Sequence, residues 1–442
     1  MFPIIGRKEI HIMSEKLSTQ PYKGTRDFYP QEMRLRNWFF GVIRDVLERS
    51  AFDEYNGPML ESLELYAAKS GDEIANEQTY HFTDRGERNL AIRPEMTPTV
   101  ARMVAGKMGE LNFPLKWFSI PNMYRYERPQ RGRLREFWQV NVDIFGCDSF
   151  EADLECITSA INIMRAYGAD ESMFTVHINN RRFFNDVIAA IAATDPDGSR
   201  KVSKVIDKKN KIPREVYEKE LHELGLNDEQ IARIDALYTM PVEEATAICP
   251  DSVGSAELRG LFDLLKKTGL DRYCMFDFGI IRGLDYYTGT VFEVFDNAPE
   301  NNRAMFGGGR YDNLVGLFVK NAKISGVGYG MGDVTLENFL VTHKLVPETF
   351  GSGVKVLVTR FEDVPYEAYT ALVDRLREAG ITASVYLGQK KFGKQIDYAV
   401  KDGYSHVVIM GGNELANGVV RIKNLATREE IEVPTDKLTE QF

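Results

Sequence analysis

Residues 122–146 read NMYRYERPQRGRLREFWQVNVDIFG and gather groups suited to phosphate chemistry. Arg125 sits inside an apolar, strand-like run, and Arg128, Arg131, Arg133 and Arg135 follow it in a loop. In the next run Gln139, Asn141 and Asp143 alternate with Val140, Val142 and Ile144. Strand residues two apart share a face, so the three polar side chains line one floor. A guanidinium grips phosphate through paired donors and stays charged at any ordinary pH. An arginine-rich hairpin above a polar floor therefore suits a small zwitterion joined to a polyphosphate.

Three further runs carry chemistry. IRPEMTPTVAR brings Glu95, Met96 and Thr97 to the head of a helix, where carboxylate and hydroxyl suit an α-ammonium group. IIRGLDYYTGTVFE carries Arg282, Asp285, Tyr286 and Tyr287, and GGGRYDNL carries Arg310, Tyr311 and Asp312. Glycines in the last run let backbone approach a ligand closely, and the Tyr287 and Tyr311 hydroxyls suit an imidazole.

In this order the runs resemble class II aminoacyl-tRNA synthetases, in the form found in histidyl-tRNA synthetases. The arginine hairpin resembles motif 2, and the RGLDYY and GGRYD runs are near-literal matches to that family's histidine signatures. A helical pattern from Pro30 to about Ser50, then an extended segment to Pro58, resembles the dimer-forming motif 1. The resemblance covers about residues 20–195 and 255–442. It implies an α+β catalytic domain on a mostly antiparallel sheet, over 21–345, with a helical insertion at about 195–255. It also implies a C-terminal α/β anticodon-binding domain over 353–442.

The implied activity is histidine–tRNA ligation. ATP with Mg²⁺ activates L-histidine to the adenylate, which then esterifies the 3′ end of tRNA(His). Carried over residue by residue, Glu95, Met96, Thr97, Gln139 and Asp143 surround the histidine ammonium. Tyr286, Tyr287 and Tyr311 read the imidazole. Arg125 bridges the α-phosphate and the histidine carboxylate, and Arg282 stabilises the pentacovalent phosphorus. Glu127, Arg133 and Arg310 join Arg125 around ATP, while Arg128 and Gln130 approach the tRNA acceptor end. One departure stands out. Motif 3 ends Gly-x-x-x-Gly-x-Glu-Arg, but here Gly328 and Gly332 are followed by Thr335 at the arginine position. The alternative reading is a catalytically silent histidine-sensing paralogue, like the ATP phosphoribosyltransferase regulatory subunit. Such paralogues generally lack the anticodon domain and the RGLDYY arginine, both of which this sequence carries.

The remaining sequence must position these groups. The 442 residues, 43% hydrophobic and 27% charged, predict two or three soluble globular domains. A net charge of −10 restricts any RNA contact to local basic patches. Four scattered cysteines without zinc spacing point to a reducing, cytoplasmic compartment and no structural metal. No apolar run reaches the roughly 20 residues of a membrane span. Residues 1–20 read as a disordered lead-in, with Met13 an alternative start. Leu35, Trp38, Phe39, Val42, Val46 and Leu47 form one apolar helical stripe. MFDFGIIRGLDYYTGTVFEVFD reads as strand-turn-strand, and the stretch from Val354 onward as β-α-β-α-β with a closing hairpin.

Overall fold

The computed structural model describes residues 18–67, 77–193, 196–206, 208–209, 212–280, 287–301, 303–348 and 354–442. Most of the expected lead-in, with Arg282 and Tyr286, lies outside them. The chain divides into two compact units, one ending at Val346 and one spanning Pro347–Phe442.

The first unit is built on a mostly antiparallel sheet. Strand Glu136–Phe145 pairs antiparallel with Leu115–Ser119 on one side and with Gly326–Gly332 on the other. The sheet continues antiparallel through Ala304–Tyr311, Thr290–Asp296 and Phe174–Asn180. Parallel pairing is confined to its two margins, Asp53–Glu54 with the strand holding Trp117 and Phe118, and Cys274–Phe276 with Phe174–Asn180. The expected strand-turn-strand is thus no hairpin. Its two strands flank Phe174–Asn180 from either side, because the earlier strand wedges between them. A separate three-stranded sheet orders Leu60–Ser62, Asn89–Ile92 and His81–Thr83, the last two turning at Gly86, where Asp84 Oδ1 accepts from the Gly86 and Arg88 amides.

Helices Pro30–Arg49 and Phe150–Ala166 cover the apolar face of the sheet, with Val140, Val142 and Ile144 in the same core as Phe39, Ile43 and Ile157. Burial on the first helix centres on Phe39, Phe40, Ile43 and Leu47. The expected stripe is therefore turned by about one residue, and Val42 and Val46 are only half-buried, packed at its edge. Residues 196–247 form four short helices, of which Asp228–Ala236 begins with a reciprocal Asn227–Gln230 capping box. Several of their charges pair internally: Asp235 meets Lys209 at 2.6 Å and Arg214 at 2.7 Å.

In the second unit, strands Thr382–Val385, Lys355–Val358 and His406–Ile409 run parallel, with helices Tyr366–Glu378 and Phe392–Lys401 between them in sequence. An antiparallel hairpin, Val419–Asn424 with Glu430–Pro434, completes the sheet. Family resemblance and periodicity both anticipated this α/β layout.

The helices bracketing the insertion meet at their first turns. A Cβ at Gly254, in helix Val253–Lys267, would overlap the backbone of Arg182 and Phe183 in helix Arg181–Ala192. Gly254→Ala must therefore separate the two helices, and we expect a loss of about 1–3 kcal/mol in urea unfolding of the catalytic unit. An unchanged midpoint would show that the contact is not tight in solution.

Candidate functional site

The register of the central strands explains why a cavity exists at all. Gln139, Asn141 and Asp143 lie opposite Gly332, Gly330 and Gly328, and the next strand adds Gly307, Gly309 and Tyr311 on the same face. Two neighbouring strands thus present almost no side chains over the floor. A Cβ at Gly330 would stand 2.6 Å from Gln139 Nε2, and one at Gly328 would strike the Asp143 carboxylate. Both positions must be glycine for the polar side chains to lie flat across the floor.

The resulting inner cavity, of about 130 Å³, is lined by Glu95, Thr97, Arg125, Gln139, Asn141, Asp143, Tyr287 and Tyr311, with Tyr329 and the glycines 307, 328 and 330. Glu95 and Asp143 are both buried. Thr97 opens helix Thr97–Lys107, whose N-cap is Met96, and no side-chain cap hydrogen bond forms there. Thr97 is thus the first helical residue and not the capping one. Tyr311 donates its hydroxyl to Asp143 Oδ1. Burial pushes the Asp143 carboxyl up to about 7, and this hydrogen bond draws it partly back.

A larger cleft, of about 370 Å³, adjoins the inner cavity. Arg125, Gln139 and Gly330 line both spaces, and Gln78, Glu127, Arg133, Phe137, Asp333 and Thr335 line the outer one. Arg125 follows strand Asn122–Tyr124; its Nε donates to Pro94 O at 2.9 Å and its guanidinium lies 5.2 Å from the Phe137 ring centroid. Buried Arg93 anchors this corner, donating to Asn122 O at 2.9 Å and Gly57 O at 2.8 Å. Arg133 meets Glu127 at 3.2 Å. The hairpin turns at Gly132, with backbone bonds both ways between Gln130 and Arg133. Arg128 and Gln130 are exposed on it.

Two expectations need correction. Arg310 does not reach either cavity. It is buried on the opposite face, its Nε 3.1 Å from Asp153 Oδ1, with Cys147 O and Ser149 O each accepting at 2.8 Å. All its donor atoms are thereby engaged, which leaves it a scaffold role. Strand alternation carried this signal: Gly309 and Tyr311 face the floor, so Arg310 faces away. The Met96 side chain likewise is fully buried; its Cε sits beside Gly57, outside the cavity lining. Conversely, Phe137 and Gln78 line the site without having been singled out, whereas Tyr329 borders it only from the strand, its ring turned into the core against Phe292 and Phe306. An aromatic residue in an apolar run carries no signal that separates lining from core. Among the described residues no group of three His, Cys, Asp or Glu side chains gathers to hold a metal.

The site thus offers two acids and a threonine hydroxyl within, and a guanidinium at the junction with a cleft large enough for a nucleotide. A family model for histidyl-tRNA synthetase matches residues 24–333, and one for an anticodon-binding domain matches 355–442. The chain is 45% identical to a histidine–tRNA ligase of Leptospira biflexa over 94% of its own length and 95% of the relative's. It is 36% identical to the Pyrococcus abyssi histidine–tRNA ligase, covering 94% and 96%. The crystal structure of histidyl-tRNA synthetase from a Nostoc species superposes with a TM-score of 0.79 at 26% identity, covering 96% of this chain and 99% of that one.

The Tyr311–Asp143 pair is testable through stability. The folded carboxyl is raised from about 3.9 toward about 7, so Asp143 favours the fold fully below its unfolded value and loses that contribution as pH rises through about 7. The Tyr311 hydrogen bond acts against this loss, because it favours the ionised form. Tyr311→Phe should then cost about 1.5–3 kcal/mol at pH 8 and distinctly less at pH 5. Equal costs at both pH values would refute the pairing with an ionising Asp143.

Proposed function

The chain belongs to the histidyl-tRNA synthetase family and acts as a histidine–tRNA ligase, an aminoacyl-tRNA synthetase; from that premise we propose how its two cavities divide the reaction. The inner one takes L-histidine. Glu95 and Thr97 receive the ammonium group, with Gln139 and Asp143 beside it, and Tyr287 and Tyr311, with Tyr286, meet the imidazole. The outer one takes ATP as its Mg²⁺ complex, with Phe137 offering a ring to the adenine and Glu127 and Arg133 near the phosphates. One observation carries this reading: Arg125 stands where the two cavities join, between the acids of the inner space and the open cleft. A zwitterion seated with its ammonium on the acids presents its carboxylate to Arg125, beside the α-phosphate.

A carboxylate oxygen of histidine then attacks the α-phosphorus, the bond to the bridging oxygen breaks, and pyrophosphate leaves with Mg²⁺. Arg125 neutralises charge on both reactants, and Arg282 takes the role implied by the RGLDYY signature. A ribose hydroxyl at the tRNA 3′ end next attacks the adenylate carbonyl, releasing AMP. We assign Arg128 and Gln130, exposed on the hairpin, to that acceptor end, and the second unit to the anticodon. No covalent protein intermediate is needed, so positioning and charge stabilisation account for the rate. The four cysteines are unpaired, in keeping with a cytoplasmic, reducing setting.

Histidine-dependent ATP–pyrophosphate exchange tests the reading. Wild-type protein should exchange label only with histidine present, and Arg125→Ala should lower the rate by about 10²–10³-fold or more. Exchange absent from the wild type would favour a silent regulatory role.

We also propose a two-fold homodimer. Met33 is exposed on the helix that resembles motif 1, Tyr29 just before it, and Met59 and Leu60 just after the extended segment that ends at Pro58, apolar side chains suited to an isologous interface. Light scattering at micromolar concentration should give about twice the 50.3 kDa chain mass, and a monomer mass would refute it.

A further inference from the structure

Helix Asp333–Thr342 begins beside the outer cleft, and Thr335 stands in its first turn where the family's motif 3 arginine would be. Its hydroxyl donates to Met305 O at 2.7 Å, with Gly332 O at 3.2 Å. Thr335 thus ties the helix to strand Ala304–Tyr311 and offers phosphate no cation.

The cleft does not end there. A further space of about 240 Å³ continues past Gly132, Ala304, Met305 and Thr335, which line both. Two guanidiniums border it, Arg131 and Arg303, against the single carboxylate of Glu300. Arg131 Nη2 already donates to Asn301 Oδ1 at 3.1 Å, and Asn301 is itself held by Asp296 at 2.6 Å. Arg303 differs. It is exposed, and among the described residues its guanidinium makes no hydrogen bond or ion pair. Its backbone is nonetheless fixed: its amide donates to Asn301 O at 2.8 Å, and the next residue begins the central strand.

We propose that Arg303 grips the terminal phosphates of ATP from the strand side of the cleft, supplying the guanidinium that Thr335 does not. The proposal rests on the outer cavity being the nucleotide site. A guanidinium with no existing partner gives up no ion pair when it meets phosphate, and only solvent must be displaced. Its planar fork matches two phosphate oxygens at once, which an ammonium cannot do. Arg131 and Arg133, by contrast, must first leave Asn301 and Glu127.

Steady-state ATP–pyrophosphate exchange separates the possibilities. Arg303→Ala should raise the KM for ATP about tenfold or more, the loss of a charge-assisted hydrogen bond, while the KM for histidine moves less than twofold. Arg303→Lys should recover only part of the loss. Because the side chain is exposed, neither variant should alter the unfolding midpoint. An ATP KM within twofold of wild type in Arg303→Ala, with the wild type active, overturns this inference alone. A wild type without exchange overturns the reading beneath it.

Discussion

The site depends on two adjacent strands that present almost nothing but hydrogen on one face. A sheet normally buries or solvates both faces with side chains, and a floor without them would be a weakness. Here the strand pairs Gly330–Asn141 and Gly328–Asp143 turn that weakness into volume. The cost is carried by the opposite face, where Val327, Tyr329 and Met331 alternate with those glycines and bury completely or nearly so. Polar side chains from the neighbouring strand then spread into the space, and their orientation is set by backbone rather than by flexible partners.

Rigidity at this floor is reinforced by ionic groups that never meet a substrate. Arg310 and Asp153 bind helix Phe150–Ala166 to the strand that bears Tyr311. Arg182 links Glu257 to Asp312, and Asp312 holds Thr288 at 2.6 Å. Of these, the Arg310–Asp153 pair is buried; such a pair adds little net stability, but losing one partner leaves a charge stranded. Their effect is geometric: the two helices bracketing the insertion, helix Phe150–Ala166 and the Tyr311 strand are held in one arrangement.

How much of this was legible from residues alone varied with the range of the interaction. The polar floor could be read because the period of two in 136–145 is local and strict. The hairpin over 122–146, the helix from Pro30 and the α/β pattern of the second unit are likewise local. Pairing was not: Phe174–Asn180 lies about a hundred residues from the strand it enters beside, and nothing in the intervening sequence announces it. Arg310 was misread although its parity within the strand placed it away from Tyr311. Adjacency in sequence to a ligand signature outweighed the simpler geometric cue. Thr335 shows the opposite case, where a departure from the family pattern was plain but its meaning required the shape of the cleft.

A carboxyl whose titration falls near neutrality lies at the bottom of the inner cavity. With its carboxyl pushed that high by burial, Asp143 holds a proton in part of the molecules near neutral pH. On the proposed placing, a cationic ligand beside that group favours the ionised form, so the proton departs as the ligand arrives. Substrate capture is then coupled to acid release, and its measured heat includes the ionisation enthalpy of whatever buffer takes up that proton.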